Sequence, residues 1–458
     1  MTNGHKTGVI IHICEPIVTG SRKGVISMRF ELRPHREKAI AYQKDQKLFL
    51  QLSFFPELSD LSLKRNLNVA FVIDVSGSMG TSFEGLDKSK LEIVQKALND
   101  LIQSNILEPS DKIALVSFDA TAITLLPLSS FDPGLFSKCV SQLRVGAKTN
   151  MGSGMSEAIR LLEVASTFDA KKMILFTDGQ TERGYTCLEF ADQAAKMGVE
   201  IIAFGVGESY NENLLMKISA KTKRNPFHLT DLRMFSMYLK KELKAGKKQA
   251  ISSASIFFES PIDFMLEKAI RVFPDYLPLD IQNCAVFLGD LFCNTENTFI
   301  LEINLPDRPP SKVKEAQATI TYRIVGNQES IPKTMKAEIF IEYCIDGMGN
   351  LNIDKGVMHY MKQMNLQRLL QEASKEAQNG NRKIALEKLQ VAEKAALSGG
   401  NTEILATINT AIKEMNQSLQ ISDETKKTIL VNSRTETKRF QSTEIPLDEE
   451  EIRKITGV

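Results

Sequence analysis

Between Leu67 and Lys248, short apolar runs alternate with amphipathic stretches, and this alternation constrains the fold more than any other feature of the chain. Asn68–Ile73, Lys112–Phe118, Lys172–Thr177 and Glu200–Val206 are near-continuous apolar runs, the pattern of strands covered on both faces. Lys88–Ile102 carries Leu91, Val94, Ala97 and Leu101 at helical spacing. Ser153–Val164, Leu188–Met197, Asn211–Ala220 and Leu232–Lys244 read as further helices. Ile123–Leu128 predicts an edge strand, because Pro127 cannot donate to a ladder. Such alternation predicts an α/β fold: a doubly wound, mostly parallel sheet with helices on both faces.

The flanks follow a different period. Val25–Arg33 and Lys47–Phe55 alternate apolar and polar residues and close at Pro34 and Pro56. Ser255–Glu259, Asn297–Asn304, Gln317–Ile324 and Lys336–Tyr343 return to the same period of two. We therefore expect one β-sandwich built from residues 1–66 and 249–350, with the α/β unit of residues 67–248 inserted into it. Residues 351–419 predict an α-helical hairpin region. Met361, Leu366, Leu369, Ala373 and Ala377 mark one helix face, and Ile384, Leu386, Leu389, Ala392 and Ala396 the other, with Gly380 between. Asn401–Leu419 continues helically. Residues 420–458 hold Thr425, Thr428, Thr435, Thr437, Thr443 and Thr456 among mixed charges; so polar a segment is expected to be disordered. Thr435, Thr437 and Thr443, beside Arg434, Lys438 and Arg439, are candidate targets of a kinase and of a phosphothreonine reader.

The composition narrows the partners. The 458 residues include 57 Lys+Arg against 56 Asp+Glu, so no global basic excess favours nucleic acid. No apolar run is long enough to predict a membrane span. Residues 1–18 lack the cleavage signature of a secretory signal. Six scattered cysteines without a Cys-x-x-Cys pair read as reduced thiols, and the expected location is cytoplasmic.

The first buried run ends directly in Asp74-Val75-Ser76-Gly77-Ser78. Thr149 sits in a loop before a predicted helix, and Asp178 ends another strand in Thr177-Asp178-Gly179. In an open parallel sheet the strand C-termini share one edge, where ligands bind. Two carboxylates and three hydroxyls from three loops are thus expected to converge. Asp or Ser after a strand also caps helices, but capping does not account for all five positions. An all-oxygen set suits Mg²⁺, with Mn²⁺ or Ca²⁺ as alternatives, rather than zinc.

The pattern Asp-x-Ser-x-Ser, a Thr in Thr-Asn-Met-Gly and Thr-Asp-Gly resembles the metal-ion-dependent adhesion site of the von Willebrand factor A (VWA) domain family over roughly residues 67–245. That resemblance implies that Ser76, Ser78 and Thr149 contact a metal directly, and that Asp74 and Asp178 act through coordinated water. The whole layout is similar to bacterial cytoplasmic VWA domain-containing proteins. The resemblance implies a non-enzymatic interaction scaffold whose bound Mg²⁺ captures an Asp or Glu of a protein partner.

Two other functions fit parts of the pattern. A Mg²⁺-dependent phosphohydrolase or phosphotransferase would use Asp74 as nucleophile, but such enzymes place an acid two positions on, where Ser76 stands, and no charge-neutralising lysine stands out. The chain would otherwise serve as a non-catalytic companion of a separately encoded ATPase or signalling kinase, by family analogy. Gly205-Val206-Gly207 lacks the third glycine of a dinucleotide loop, no phosphate-binding P-loop occurs, and His5, His12, His35, His228 and His359 form no metal-binding pair. Lys240, Lys241, Lys244, Lys247 and Lys248 read as a solvated helix face.

Overall fold

The computed structural model describes residues 9–19, 22–58, 66–82, 87–165, 169–178, 181, 184–206, 210–229, 233–292, 294–324, 332–345, 353–398, 401–417, 420–432, 434 and 437. The chain divides into two compact units, Leu63–Gln249 and the combination of Met1–Ser62 with Ala250–Val458.

In chain order, β1 (Val9–Thr19), β2 (Arg22–Pro34), β3 (Lys38–Ile40) and β4 (Gln46–Leu58) come first. The α/β unit follows: β5 (Leu67–Asp74), α1 (Lys90–Ile102), β6 (Lys112–Phe118), β7 (Ala122–Ser130), α2 (Pro133–Val140), α3 (Met151–Glu163), β8 (Ala170–Thr177), α4 (Gly184–Lys196), β9 (Val199–Val206), α5 (Glu212–Lys221), β10 (Phe227–Leu229) and α6 (Arg233–Lys247). Then come β11 (Gln249–Glu259), β12 (Met265–Phe273), β13 (Leu277–Leu279), β14 (Ile281–Gln282), β15 (Ala285–Phe292), β16 (Asn297–Leu305), β17 (Ser311–Ile324) and β18 (Lys333–Cys344), and finally α7 (Lys355–Gln378), α8 (Arg382–Ser398), α9 (Thr402–Gln417) and α10 (Asp423–Lys427).

The sheet of the α/β unit runs β10-β9-β8-β5-β6-β7. All neighbours are parallel except β7, which pairs antiparallel to β6 at the edge, where Pro127 costs no ladder bond. Successive β5 residues feed opposite cores. Val69, Phe71 and Ile73 pack with buried residues of α1, α2 and α6, while Ala70 and Val72 pack with those of α3, α4 and α5. A strand buried on both faces needs apolar residues throughout, which is why β5 reads as an unbroken run. Helix starts are set locally. Ser89 and Glu92 form a reciprocal capping box on α1, and Asp132 caps α2 with Pro133 in its first turn. Lys247 is no solvated cation: it is only 11% exposed and pairs with Asp111 at 2.7 Å.

The second unit holds two six-stranded sheets, β1-β2-β4-β16-β12-β13 and β14-β15-β11-β17-β18-β3. Each takes strands from both sides of the α/β unit. β4 pairs with β16 from Phe54↔Asn297 to Gln46↔Leu305, and β3 pairs parallel to β18. α7 lays Val357, Met358, Tyr360 and Met361 against Phe49, Ile270, Val272 and Ile300 of the first sheet. Its later turns form a separate core with α8 and α9. In α8 the predicted Leu389, Ala392 and Ala396 are buried and Leu386 packs against them, but Ile384 is 45% exposed and its neighbour Ala385 takes the buried position instead.

The segment expected to be a disordered tail begins as structure. Ser422 caps α10, a π-helical turn spans Thr428–Asn432, and Ile421, Ile429 and Val431 are buried. Three buried apolar side chains within eleven residues offset local ordering, although the segment as a whole is polar. The backbone N–H of Tyr276 also donates to the Arg434 carbonyl at 2.7 Å. Thr435, Thr443 and Thr456 lie outside the described residues. Among the described residues, no helix is long and apolar enough to cross a membrane.

Candidate metal centre

Asp74 ends β5 and Asp178 follows β8, adjacent parallel strands, so both carboxylates lie at one sheet edge. Both are fully buried. Asp74 Oδ1 accepts from the Ser76 backbone N–H at 2.9 Å, and Oδ2 accepts from Thr177 Oγ1 at 2.6 Å. Ser76 Oγ and Ser78 Oγ are 3.2 Å apart, and Ser78 Oγ donates to Asp178 Oδ1 at 2.8 Å. The other oxygen of Asp178 pairs with the Lys90 ammonium. Four of the five residues singled out from sequence are therefore joined in one hydrogen-bonded chain.

Thr149 is placed differently. Its loop is moored beside the Asp74–Ser78 turn, with Gly146 N–H donating to the Val75 carbonyl at 2.5 Å and Asn150 N–H to the Asp119 carbonyl at 2.6 Å. Gly146 is needed there, because a Cβ would collide with the Asp119 carboxylate. Asn150 then caps α3 through Ser153 N–H. Among the described residues, Thr149 makes no hydrogen bond to the carboxylate–hydroxyl chain; the loop brings it to the same edge without linking it.

Two participants were not foreseen. Thr177 holds Asp74, and its place beside Asp178 in Thr-Asp-Gly was the available signal. Lys90 reaches Asp178 from the first turn of α1, a contact between positions 88 residues apart that no local pattern announces.

Burial pushes the Asp74 carboxyl up to about 6, and the charge of Asp178 adds to the rise; the hydrogen bonds from Thr177 and Ser76 pull it down but do not cancel it. Two buried carboxylates with hydroxyls alongside fit a hard divalent cation, which supplies positive charge beyond that of the single Lys90 ammonium. Among the described residues, no group of three or more His, Cys, Asp or Glu side chains is placed to hold a metal ion.

The comparisons with known proteins agree with this architecture. Residues 68–240 match the von Willebrand factor type A domain model. The chain contains a VWA domain. Residues 355–439 match the Sll0103-like C-terminal alpha-helical domain, which places the helices after the VWA domain in a recognised module and includes α10. A solved structure, the von Willebrand factor type A protein from Catenulispora acidiphila, is similar over 90% of this chain and 97% of its own, at 15% identity and a TM-score of 0.74. The ArnB paralog VWA2 from Sulfolobus acidocaldarius is similar over 90% of this chain and 100% of its own, at 17% identity and a TM-score of 0.56. At these identities the likeness is one of fold. Proximal thread matrix protein 1 from the mussel byssus, described with zinc in its MIDAS motif, covers only 40% of this chain at 22% identity and a TM-score of 0.34, too partial to bear on it. No curated protein matches the chain in sequence.

Proposed function

We propose that this protein is a non-enzymatic scaffold whose VWA domain takes a divalent cation, Mg²⁺ first and Mn²⁺ or Ca²⁺ second, and through it captures an acidic side chain of a protein partner. The observation that carries this reading is the chain from Asp74 through Ser76 and Ser78 to Asp178, two buried carboxylates bridged by hydroxyls at a parallel-sheet edge. Ser76, Ser78 and Thr149 would hold the ion directly, and Asp74 and Asp178 would hold its coordinated waters. A bound Mg²⁺ would offer an open position to a carboxylate, because three protein oxygens leave part of its shell of about six to water. Thr177 and the Ser76 amide keep Asp74 oriented toward the site. The sheets and helices of the other unit would carry further contacts, and the cytoplasm is the proposed setting.

The test is affinity capture from the native cell in Mg²⁺ and in EDTA, with wild type and Asp178→Ala. Partner capture lost in both EDTA and the variant supports the reading; capture indifferent to EDTA removes the metal bridge. One observation favours a second reading: Lys90 is a lysine beside the carboxylates, which a Mg²⁺-dependent phosphohydrolase built on Asp74 would need. Against it, position 76 remains Ser. Turnover of p-nitrophenyl phosphate that vanishes in Asp74→Asn would establish the enzyme.

A further inference from the structure

We propose that Lys90 is a built-in counter-cation of the metal site, one that competes with a divalent ion for Asp178 and so sets how tightly the site takes metal. The inference rests on reading Asp74, Ser76, Ser78, Thr149 and Asp178 as a metal centre.

Lys90 is held in place by its surroundings. Ser89 caps α1, and the Glu92 carboxylate accepts from both the Ser89 backbone N–H at 2.8 Å and its hydroxyl at 2.9 Å. The Lys90 backbone N–H donates to the Thr81 carbonyl at 3.1 Å, and Ser82 bridges Ser89, which ties the start of α1 to the turn that carries Ser78. The Lys90 side chain is only 14% exposed and ends on Asp178, whose side chain is fully buried. Ser78 takes the other Asp178 oxygen. Both oxygens of this carboxylate are therefore engaged by the chain itself. A lysine in the first turn of a helix faces the positive end of the helix dipole, an unfavourable place for a cation. The ion pair with Asp178 offsets that cost.

The charge count gives the pair a role. Two carboxylates face one ammonium, so the cluster retains one negative charge. A divalent ion alone would neutralise the two carboxylates; with Lys90 still beside them, one positive charge is in excess. Lys90 therefore steadies the metal-free cluster and opposes the ion. Once the ion is seated, the excess charge favours an anionic ligand, and a single partner carboxylate restores neutrality. At the effective dielectric of a partly buried site, a unit charge within one or two side-chain lengths of a divalent ion changes its affinity by about tenfold or more.

The test is calorimetric titration of Mn²⁺ into the full chain as wild type, Lys90→Gln and Lys90→Arg, with thermal unfolding of each in EDTA. Lys90→Gln should bind Mn²⁺ about tenfold or more tightly than wild type and should melt lower in EDTA. Lys90→Arg keeps the charge and should stay within about threefold of wild type. Lys90→Met, which keeps the aliphatic stem, serves if the amide variant does not fold. Metal uptake by Lys90→Gln but not by wild type would support the proposal in its strongest form. Equal or weaker binding by Lys90→Gln, with wild type binding normally, overturns the role of Lys90 and leaves the metal centre standing. Uptake by neither overturns both.

Discussion

Gly154 lies one turn into α3, the helix that Thr149 and Asn150 lead into, and its Cα faces Phe118 and Val72 of the sheet at close range. A Cβ at this position would stand 2.7 Å from Phe118 Cδ1, 2.9 Å from Val72 Cγ1 and 3.0 Å from Phe118 Cγ. Ordinary carbon contacts sit at about 3.5 Å or beyond, so Gly154→Ala falls short by several tenths of an ångström against two side chains. Neither neighbour is free to yield: Phe118 and Val72 are both 0% exposed, in central strands of the sheet. Overpacking of this kind costs about 1–3 kcal/mol, and the rigid surroundings favour the upper half of that range. Alanine regains about 1 kcal/mol in helix propensity over glycine. The net expectation is a loss of about 1–2 kcal/mol, measured as a fall in the urea midpoint of the full chain's VWA transition. The relief route is a shift of α3 away from the sheet, which would carry Thr149 with it, so Mn²⁺ affinity should fall together with stability. A variant as stable as wild type or more so, as expected where only propensity matters, would refute the packing argument. Lost stability with unchanged Mn²⁺ affinity would refute the coupling of α3 to the site.

Two further perturbations probe the frame. His35 is buried with its Nδ1 accepting from Phe49 N–H at 3.0 Å; burial, helped by the charge of Arg36, pushes it down to about 3. The unfolded chain then binds the proton that the fold excludes, so stability is full above pH 6.5 and falls as pH drops toward 3; between pH 7 and 5 the wild type should lose about 2 kcal/mol more than His35→Gln in urea unfolding, and equal slopes would refute this. Asp111 is fully buried and accepts from Leu67 N–H and Glu108 N–H, each at 2.8 Å, while pairing with Lys247. Asp111→Ala should cost about 3–5 kcal/mol in urea unfolding because it removes the acceptor of two amides and leaves the largely buried Lys247 ammonium only the more distant, more exposed Glu108 at 3.7 Å, and a loss below about 1 kcal/mol would contradict that assignment.

What the sequence revealed follows from which forces act locally. β5, β6, β8 and β9 are covered on both faces, so their apolar runs are continuous and legible, and Pro127 marks the edge strand by chemistry alone. β12 escaped because its burial is not periodic: its first four residues are largely exposed and the next four are buried. α2 was missed although Asp132-Pro133 is a helix-start signal, since only eight residues follow. In α8 the predicted Leu389, Ala392 and Ala396 do pack, but the larger Ile384 was preferred over Ala385, the neighbour that is buried. Segment-wide composition hid the start of the tail, where Ile421, Ile429 and Val431 anchor a helical turn. At the site, the Asp74, Ser76, Ser78 and Asp178 constellation was visible because its spacing is short within each loop and sheet topology brings the loops together. Lys90 was not, because its meeting with Asp178 depends on how the first turn of α1 folds back.

The claim that this edge of the VWA domain is a metal centre is tested most directly by titrating Mn²⁺ into the full chain by calorimetry, as wild type, Asp74→Ala and Asp178→Ala. Saturable uptake by the wild type that is lost in both variants, with their unfolding still cooperative, is the result the account predicts. Equal uptake by all three, or none by either the wild type or Lys90→Gln, would contradict it.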